Sequence, residues 1–235
     1  MSLFYQPELD LNDPVLPPDE SRHCVRVLRQ RSGDAIEVID GQGNYYQGVI
    51  QQANPKQCSF TIVDTRSEPK RDYQIHLAIA PTKNLDRTEW LVEKAVEIGV
   101  DELSFVACAH SERRVLKSDR LIRKAVAAMK QSGRATLPKI NALKPLARFL
   151  SQPSTAQQRL IAYVDPDNPQ GLSRIAQPQS SYEVLIGPEG GFSEDEIASA
   201  QRVGLAVVSL GAYRLRTETA GIVACTGLHT INQLK

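Results

Sequence analysis

Two glycine-rich stretches near the carboxyl end of the chain have the residue types and spacing of ligand-binding loops. In the first, a short apolar run (residues 184–186) stops at Gly187 and Pro188, and two more glycines precede a helix start. Ser193 and Glu196 have the spacing of a capping box. Strand, glycine bend and helix in this order often mark a ligand site, because ligands of open α/β sheets collect beyond the carboxyl ends of the strands.

The helix start after this loop is a poor phosphate site. The stretch lacks both G-x-G-x-x-G and G-x-x-x-x-G-K-[ST], the usual dinucleotide and P-loop patterns. Glu194, Asp195 and Glu196 fill the first turn and offset the positive end of its dipole. We therefore predict a ligand that needs close backbone approach and carries no phosphate. The alternative is that the glycines only make a tight turn.

The second stretch, residues 210–220, has the same strand, glycine and helix order. Gly211 bends the chain, and Arg216, Thr217, Glu218 and Thr219 gather at the next helix start. If the two strands are adjacent and parallel, both loops lie at one sheet edge and form one pocket.

The last predicted helix, residues 217–234, contains two interior glycines, Gly221 and Gly227. Each costs about 1 kcal/mol relative to alanine in a helix interior. This cost predicts close packing against a partner helix or a threaded backbone. The alternative is an ordinary helix that tolerates glycine.

Composition excludes several classes of protein. The chain has 235 residues, 41% of them apolar, and a net charge of +1. No apolar run reaches the roughly 20 residues of a membrane span, and the amino terminus does not resemble a signal peptide. The four cysteines lack metal-type spacing and are expected to be free thiols. We expect a cytoplasmic protein without a metal.

Positive charge is concentrated in two stretches. Residues 21–31 contain four arginines and no acid, and residues 111–139 contain nine basic and two acidic residues. A run of mixed charge is usually a solvated helix face, but charges of one sign repel each other unless an anion binds. We therefore predict a phosphate backbone as partner, with an RNA bridging two patches.

The predicted elements divide the chain into a small β domain and an α/β domain. A helix over 21–30 and strands over 35–40, 45–50 and 59–63 suggest a small barrel or sandwich. The polar segment 65–72 is the predicted linker. Alternating elements then predict a mainly parallel sheet covered on both faces. The predicted strands are 75–80, 102–107, 160–164, 184–186 and 205–210, and the predicted helices are 85–98, 118–131, 193–203 and 217–234.

The motifs together resemble a known family. Residues 186–192 and 210–220 are similar to the two signature loops of the RsmE-type ribosomal RNA methyltransferases of the SPOUT superfamily. Further similar motifs occur in the same order along the chain: His23 with Val27, Leu28 and Arg29; Lys83 with Asp86, Arg87 and Glu89; residues 94–100; residues 111–113; and residues 131–134 with Leu137 and Pro138.

The resemblance implies a PUA-like β-barrel RNA-binding domain (residues 1–72). It also implies a SPOUT methyltransferase domain (residues 73–235) with a carboxyl-terminal trefoil knot. The implied enzyme is a homodimer that transfers a methyl group from S-adenosylmethionine to N3 of a uridine in 16S rRNA, free or in the 30S subunit. The alternative on the same fold is a non-catalytic RNA-binding ribosome-assembly factor. A generic nucleotide-binding enzyme is disfavoured by the missing phosphate loop.

The resemblance also implies roles for particular residues. Glu218 is expected to take the uridine N3 proton, directly or through water, or Arg216 to stabilise the developing uracil anion; we favour Arg216. The expected cofactor-binding residues are Ile186, Gly187, Pro188, Gly190, Gly191, Leu210, Gly211, Leu215, Thr217, Thr219 and Ala220. The expected RNA-binding residues are Arg22, His23, Arg26, Arg29, Lys83, Arg87, Arg113 and Arg134.

Overall fold

The computed structural model describes residues 2–164 and 170–233. Contacts within the chain divide it into two compact units, which we describe separately. The first contains Met1–Lys70 and Val126–Leu137, and the second contains Arg71–Ala125 and Pro138–Lys235.

The first unit contains one four-stranded sheet with the order β1-β2-β3-β4. β1 pairs parallel to β2, and the other pairs are antiparallel. Ile36 and Val38 point to one face of β2 and are fully buried in a core with Phe4 and Phe60. The strands are β1 (Leu3–Tyr5), β2 (Ala35–Ile39), β3 (Asn44–Gln52) and β4 (Ser59–Ser67).

A tight turn joins β2 to β3. The Asp40 carboxylate accepts hydrogen bonds from the backbone N–H groups of Gln42 (2.7 Å) and Asn44 (3.1 Å). Gly41 and Gly43 adopt positive φ angles of 79° and 99°, which side chains disfavour. The turn residues therefore fix the register of β2 against β3.

Two predictions for the first unit were wrong in their bounds. The helix predicted over 21–30 is α1 (Pro18–Arg22), followed by a π-helical turn over His23–Val27. It starts earlier because Pro18 suits the first helical position. The predicted linker begins too early, since β4 continues to Ser67. Arg66 on β4 lies 3.6 Å from the Tyr45 ring centre and pairs with Glu37 at 3.0 Å.

The second unit contains a six-stranded, wholly parallel sheet with the order β10-β8-β9-β5-β6-β7. The predicted parallel sheet is thus confirmed. The two glycine-loop strands are not adjacent, because β8 lies between β9 and β10. The strands are β5 (Gln74–Ile79), β6 (Glu102–Ala107), β7 (Lys139–Pro145), β8 (Gln158–Ala162), β9 (Ser181–Ile186) and β10 (Ala206–Val208).

Helices cover both faces of this sheet. Ala78 and Ile161 face a cluster that includes Phe149 and Ala200. Leu77 and Ile79 alternate with Ala78 and face the opposite side, where the last helix packs. The helices are α2 (Leu85–Ile98), α3 (Ser118–Ser132, whose last residues belong to the first unit), α4 (Leu146–Leu150), α5 (Leu172–Ile175), α6 (Glu194–Arg202) and α7 (Thr217–Gln233).

Helix α2 has the predicted bounds because its ends carry strong signals. The Asn84 side chain accepts a hydrogen bond from the Asp86 N–H (2.9 Å) at the start. Gly99 adopts a left-handed φ of 110° at the end. Between them, Leu91 and Ala95 are fully buried.

The glycines of α7 pack closely, as predicted, but against side chains. A methyl group on Gly221 would lie 2.9 Å from the terminal carbons of Ile79 and Leu91. One on Gly227 would lie 2.9 Å from Leu172. The small residues therefore allow α7 to approach β5, α2 and α5 of its own chain.

The cysteines agree with the sequence prediction. Cys24, Cys58, Cys108 and Cys225 are buried free thiols. Burial raises the pKa of Cys108 to about 12, so this thiol is not ionised at neutral pH.

No helix within residues 2–164 and 170–233 has the length and apolar character needed to cross a membrane. In those ranges no three His, Cys, Asp or Glu side chains form a group suited to a metal ion.

Candidate cofactor site

The carboxyl ends of β8, β9 and β10 open onto one cavity of about 450 Å³. Although β8 separates β9 from β10, all three strands are parallel, so their following loops emerge at the same edge. The cavity is lined by Ala162, Tyr163, Val164, Ile186, Gly187, Pro188, Glu189, Gly190, Gly191, Phe192, Leu210, Gly211, Tyr213, Arg214, Leu215, Thr217 and Ala220.

The first loop, residues 187–192, is packed too closely for side chains at two of its glycines. A methyl group on Gly187 would lie 3.0–3.2 Å from ring carbons of Phe192, and one on Gly190 would lie 2.9 Å from the His110 Cβ. Gly191 adopts a positive φ of 73°. A side chain at Gly187 or Gly190 would therefore collide with its neighbours, and at Gly191 it would be disfavoured by the backbone conformation.

Helix α6 starts with the predicted capping box. The Glu196 N–H donates to the Ser193 hydroxyl (3.3 Å), and the Ser193 N–H donates to the Glu196 carboxylate (2.9 Å). The other Glu196 oxygen accepts from the Ala109 N–H (2.7 Å). Because its first N–H groups and its dipole are already satisfied, this helix start does not favour phosphate.

The second loop, residues 209–216, is joined to the first by one hydrogen bond. The Thr217 hydroxyl donates to the Gly187 carbonyl at 3.1 Å, and Thr217 is buried. Gly211 adopts a φ of 146°, which side chains disfavour. We infer that this bond helps to set the distance between the two loops and hence the width of the cavity.

The structure brings nearly all the residues predicted to bind the cofactor to one cavity. The residues that line it are Ile186, Gly187, Pro188, Gly190, Gly191, Leu210, Gly211, Leu215, Thr217 and Ala220. Thr219 lies on α7 and is not in the lining. Sequence reasoning missed Ala162, Tyr163 and Val164, since only the pairing of β8 between β9 and β10 places them here.

The two predicted catalytic residues flank the cavity lining without belonging to it. Arg216 is exposed and directly precedes α7. The Glu218 side chain is only 9% exposed, and its Oε1 lies 3.8 Å from the Arg87 Nε. Glu218 Oε2 is buried without a hydrogen-bond partner in the described chain. A buried, unpaired acceptor of this kind can receive a donor from a ligand.

The residues predicted to bind RNA occur in both units. In the first, Arg22, His23, Arg26 and Arg29 are exposed, and Arg22 pairs with Asp19. Arg134 also belongs to this unit and is partly buried.

In the second unit, Lys83, Arg87 and Arg113 lie on or beside the loops that follow β5 and β6. Lys83 pairs with Glu112 at 2.7 Å. Arg113 donates to backbone carbonyls of Thr82 and Lys83, so part of its guanidinium is already occupied.

Acidic side chains pair with several basic residues of the second basic stretch. Arg120 pairs with Glu89 and Lys124 with Glu93 (2.9 Å), so acids on α2 offset charges on α3. Lys130 pairs with Glu20 at 2.6 Å. The expectation that only an anion would relieve self-repulsion here was therefore wrong, because partners distant in the sequence supply negative charge.

Comparison with known proteins identifies the family of this chain. The family described as RNA methyltransferase domain matches residues 69–229, and the RNA methyltransferase PUA domain matches residues 16–63. A Mesomycoplasma hyopneumoniae protein named ribosomal RNA small subunit methyltransferase E is 32% identical over 168 residues, covering 68% of this chain and 70% of that relative. The chain belongs to the RsmE-type family of RNA methyltransferases.

Solved structures of RsmE-type proteins share the fold. A probable rRNA-methyltransferase from Porphyromonas gingivalis is 44% identical, with a TM-score of 0.92 over 99% of both chains. The ribosomal RNA small subunit methyltransferase E from Neisseria gonorrhoeae is 26% identical, with a TM-score of 0.88 over 100% of both chains. That protein was solved bound to S-adenosyl methionine. The resemblance seen in the sequence is therefore confirmed at the level of family and fold.

Proposed function

We propose that this chain transfers the methyl group of S-adenosylmethionine to N3 of a uridine in 16S rRNA. The observation that carries the proposal is the cavity formed by the two glycine loops at the carboxyl edge of the sheet. Family membership supports an RNA methyltransferase, and an RsmE-type neighbour binds the same cofactor. The choice of uridine N3 follows from the resemblance to that family.

The residues of the cavity fit this cofactor. Its volume of about 450 Å³ lies within the range of about 300–1,000 Å³ usual for small-molecule pockets. Arg214 lies in the described lining, and its positive charge suits the carboxylate in the amino-acid part of the ligand. Backbone groups of residues 186–191 and 210–215 would hold the adenine and ribose. When bound, the cofactor supplies an electrophilic methyl group on a cationic sulfonium.

The protein contributes mainly by positioning the acceptor. Methyl transfer needs the acceptor nitrogen in line with the sulfonium carbon bond, and such alignment supplies a large part of the acceleration. The N3 proton must also leave. The unpaired Glu218 Oε2 could accept it directly or through water, and the exposed Arg216 guanidinium could stabilise the negative charge that develops on the uracil. We favour Arg216 as the more important of the two.

RNA binding in this proposal uses basic residues of both units. We propose that Arg22, His23, Arg26 and Arg29 contact the RNA from a PUA-like domain (residues 1–72 in the sequence prediction), and that Arg134 does so from residues 126–137 of the first unit. Lys83 and Arg87 would do so beside the cofactor site, whereas the Arg113 guanidinium is already bonded to two backbone carbonyls. We also propose a cytoplasmic homodimer with a carboxyl-terminal trefoil knot. Light scattering at micromolar protein concentration tests the dimer, and a monomer would contradict it.

The central test is calorimetric titration of the pure protein with S-adenosylmethionine, followed by methylation of 30S subunits and naked 16S rRNA with labelled cofactor. We expect binding, label in RNA, and 3-methyluridine after digestion to nucleosides. Absence of binding by folded protein would refute the cofactor site. Cofactor-independent RNA binding without methyl transfer would favour the assembly factor.

Two variants test the catalytic residues. Arg216→Ala should lower kcat by about 100-fold if the guanidinium stabilises the uracil anion. Glu218→Gln should lower kcat by less than this, and a loss of about 100-fold or more would instead identify the carboxylate as the essential base. A variant with unchanged kcat at saturating cofactor and RNA removes that residue from the mechanism.

A further inference from the structure

Side chains join three separate loops at the carboxyl edge of the second unit. Glu189 lies in the first glycine loop, and its Oε1 accepts a hydrogen bond from the Lys83 N–H at 3.0 Å. Lys83 lies in the loop between β5 and α2. The cofactor loop is therefore attached to the segment that carries a residue predicted to bind RNA.

Arg113 holds the same segment from the loop that follows β6. Its Nε donates to the Thr82 carbonyl at 3.0 Å, and its terminal Nη2 donates to the Lys83 carbonyl at 2.6 Å. Glu189 thus binds an N–H group of this segment, and Arg113 binds two of its carbonyl groups.

Two further hydrogen bonds involve Thr82 and residues at the start of α2. The Thr82 N–H donates to the Thr88 hydroxyl at 3.0 Å, and the Thr82 hydroxyl donates to the Asn84 carbonyl at 2.6 Å. Arg113 therefore bonds the backbone of this segment to the loop after β6, whereas the threonine bonds connect it to the start of α2.

Lys83 and Arg113 differ in how their charged groups are used. The Lys83 side chain is 72% exposed and pairs with the exposed Glu112, so its ammonium can be shared with an RNA phosphate. The Arg113 guanidinium is part-buried and directs donors at two carbonyls in the fork geometry that only arginine offers. The arrangement suits contact with RNA by Lys83 and positioning by Arg113.

We propose that Arg113 and Glu189 are positioning residues that hold the Lys83 segment against the cofactor loop. The proposal rests on the proposed function, because it assigns how the loops of that site are arranged. It removes Arg113 from the predicted phosphate contacts. It also gives Glu189, which the sequence reasoning did not select, a role that depends on a carbonyl-type acceptor and not on its charge.

The first experiment compares Glu189→Ala with Glu189→Gln by calorimetric titration with S-adenosylmethionine. Loss of the bond to the Lys83 N–H should loosen the glycine loop and raise Kd for the cofactor about tenfold in the alanine variant. Glutamine keeps an oxygen acceptor, so Glu189→Gln should bind within about twofold of the parent protein. Thermal unfolding of each variant checks that both are folded.

The second experiment compares Arg113→Gln, Arg113→Lys and, as a matched control, Arg123→Gln. Arg123 is exposed on the same basic stretch and does not line the cavity. We expect both Arg113 variants to raise the cofactor Kd about tenfold, because lysine cannot reproduce the two diverging bonds. Arg123→Gln should leave it unchanged. The slope of log Kd for 16S rRNA against log salt should stay the same in Arg113→Gln, since no phosphate contact is lost.

Opposite results would overturn the inference without touching the proposed function. If Glu189→Gln binds as weakly as Glu189→Ala, the charge of Glu189 acts on the cofactor itself. If Arg113→Lys binds the cofactor as tightly as the parent protein, the two forked bonds of Arg113 do not position the loop. If Arg113→Gln lowers the salt slope for RNA by about one contact, Arg113 binds a phosphate of the RNA. Failure of the parent protein to bind S-adenosylmethionine would refute the proposed function instead.

Discussion

The six-stranded sheet has one cavity at the carboxyl ends of its strands (the carboxyl edge) and another at their amino ends (the amino edge). Different chemical groups line the two cavities. The carboxyl-edge cavity is lined mostly by glycine, proline and apolar residues, so its polar atoms are mainly backbone groups. The amino-edge cavity, of about 570 Å³, is lined by charged and amide side chains at the starts of β5, β6, β7 and β9.

At the amino edge the polar side chains bind one another. Glu183 accepts hydrogen bonds from Arg159 (2.8 Å) and Ser154 (2.9 Å). His76 Nε2 lies 2.8 Å from the Ser104 hydroxyl, which also accepts from Asn141 (2.8 Å). This network needs no ligand to complete it.

The comparison teaches that cavity size does not identify a ligand site in this fold. The amino-edge cavity is the larger, yet its buried Glu183, His76 and Ser104 side chains bond to other side chains of the protein. At the carboxyl edge, glycines keep side chains away and leave backbone groups open to a ligand. We therefore expect changes at the amino edge to lower stability and changes at the carboxyl edge to lower cofactor affinity.

The largest expected effect is at the amino edge. Glu183→Ala removes the carboxylate that pairs with Arg159, and both side chains are largely buried, 5% and 15% exposed. Breaking such a pair should lower the free energy of unfolding by about 3 kcal/mol. Urea unfolding measures the loss. Calorimetric titration should show an unchanged cofactor Kd at a temperature where the variant is folded.

A double variant provides the control for this prediction. Glu183→Leu combined with Arg159→Met replaces both charges by apolar side chains and should recover most of the lost stability. If the single substitution costs less than about 1 kcal/mol, the ion pair is not the structural element that the comparison assumes.

Two glycines with similar backbone conformations, one in the lining of the carboxyl-edge cavity and one outside it, test the assignment of this cavity. Gly191 and Gly204 have positive φ angles of 73° and 89°, and nothing lies within 4 Å of a methyl group added to either. Alanine should therefore cost each site a similar strain of about 1 kcal/mol. Because Gly191 lines the cavity and Gly204 does not, only Gly191→Ala should raise the cofactor Kd, by about tenfold. Equal affinity of the two variants would contradict the assignment of the loop.

Sequence patterns predicted the elements of this site better than their arrangement. The bounds of α2 and the capping box at Ser193 follow from local signals, namely Asn84, Gly99 and Glu196. The position of β8 between β9 and β10 could not be read, since all three strands are short apolar runs and strand order depends on distant pairing. For that reason the sequence did not identify Tyr163 as a residue that lines the cofactor cavity.

Charge patterns were misleading for a related physical reason. The basic stretch around α3 looked unneutralised because Glu89 and Glu93, which pair with Arg120 and Lys124, lie on a different helix. The amino-edge network was invisible for the same reason, as His76 and Glu183 come from separate strands. Side-chain pairing between elements is a property of the folded chain.

A smaller effect is expected where the two glycine loops meet. Thr217→Val keeps the shape of the side chain but removes the hydroxyl that donates to the Gly187 carbonyl. We expect a loss of about 1 kcal/mol of unfolding free energy and a cofactor Kd raised about threefold to fivefold. Thr217→Ser retains the donor and should restore both. If serine and valine behave alike in calorimetric titration, the bond does not set the width of the cavity.

The smallest effect concerns the pH dependence of stability at the amino edge. Burial lowers the pKa of His76, and Lys139 and Lys144 act in the same direction, whereas Glu102 and Glu183 oppose it. The folded protein therefore favours neutral imidazole, and the unfolded chain binds a proton first as pH falls below the ordinary value of about 6.5. Stability from this group is present above that value and is lost as pH falls towards the depressed pKa of the folded state.

Urea unfolding of the parent protein and of His76→Gln between about pH 7.5 and about pH 5 tests this assignment. Stability of the parent should fall more steeply towards acid, and the difference between the two curves should level off below the folded-state pKa of His76. Parallel curves for His76→Gln and the parent would show that the histidine is not held neutral. The amino edge would then be capable of taking up a proton or another cation, which would remove the distinction between the two cavities.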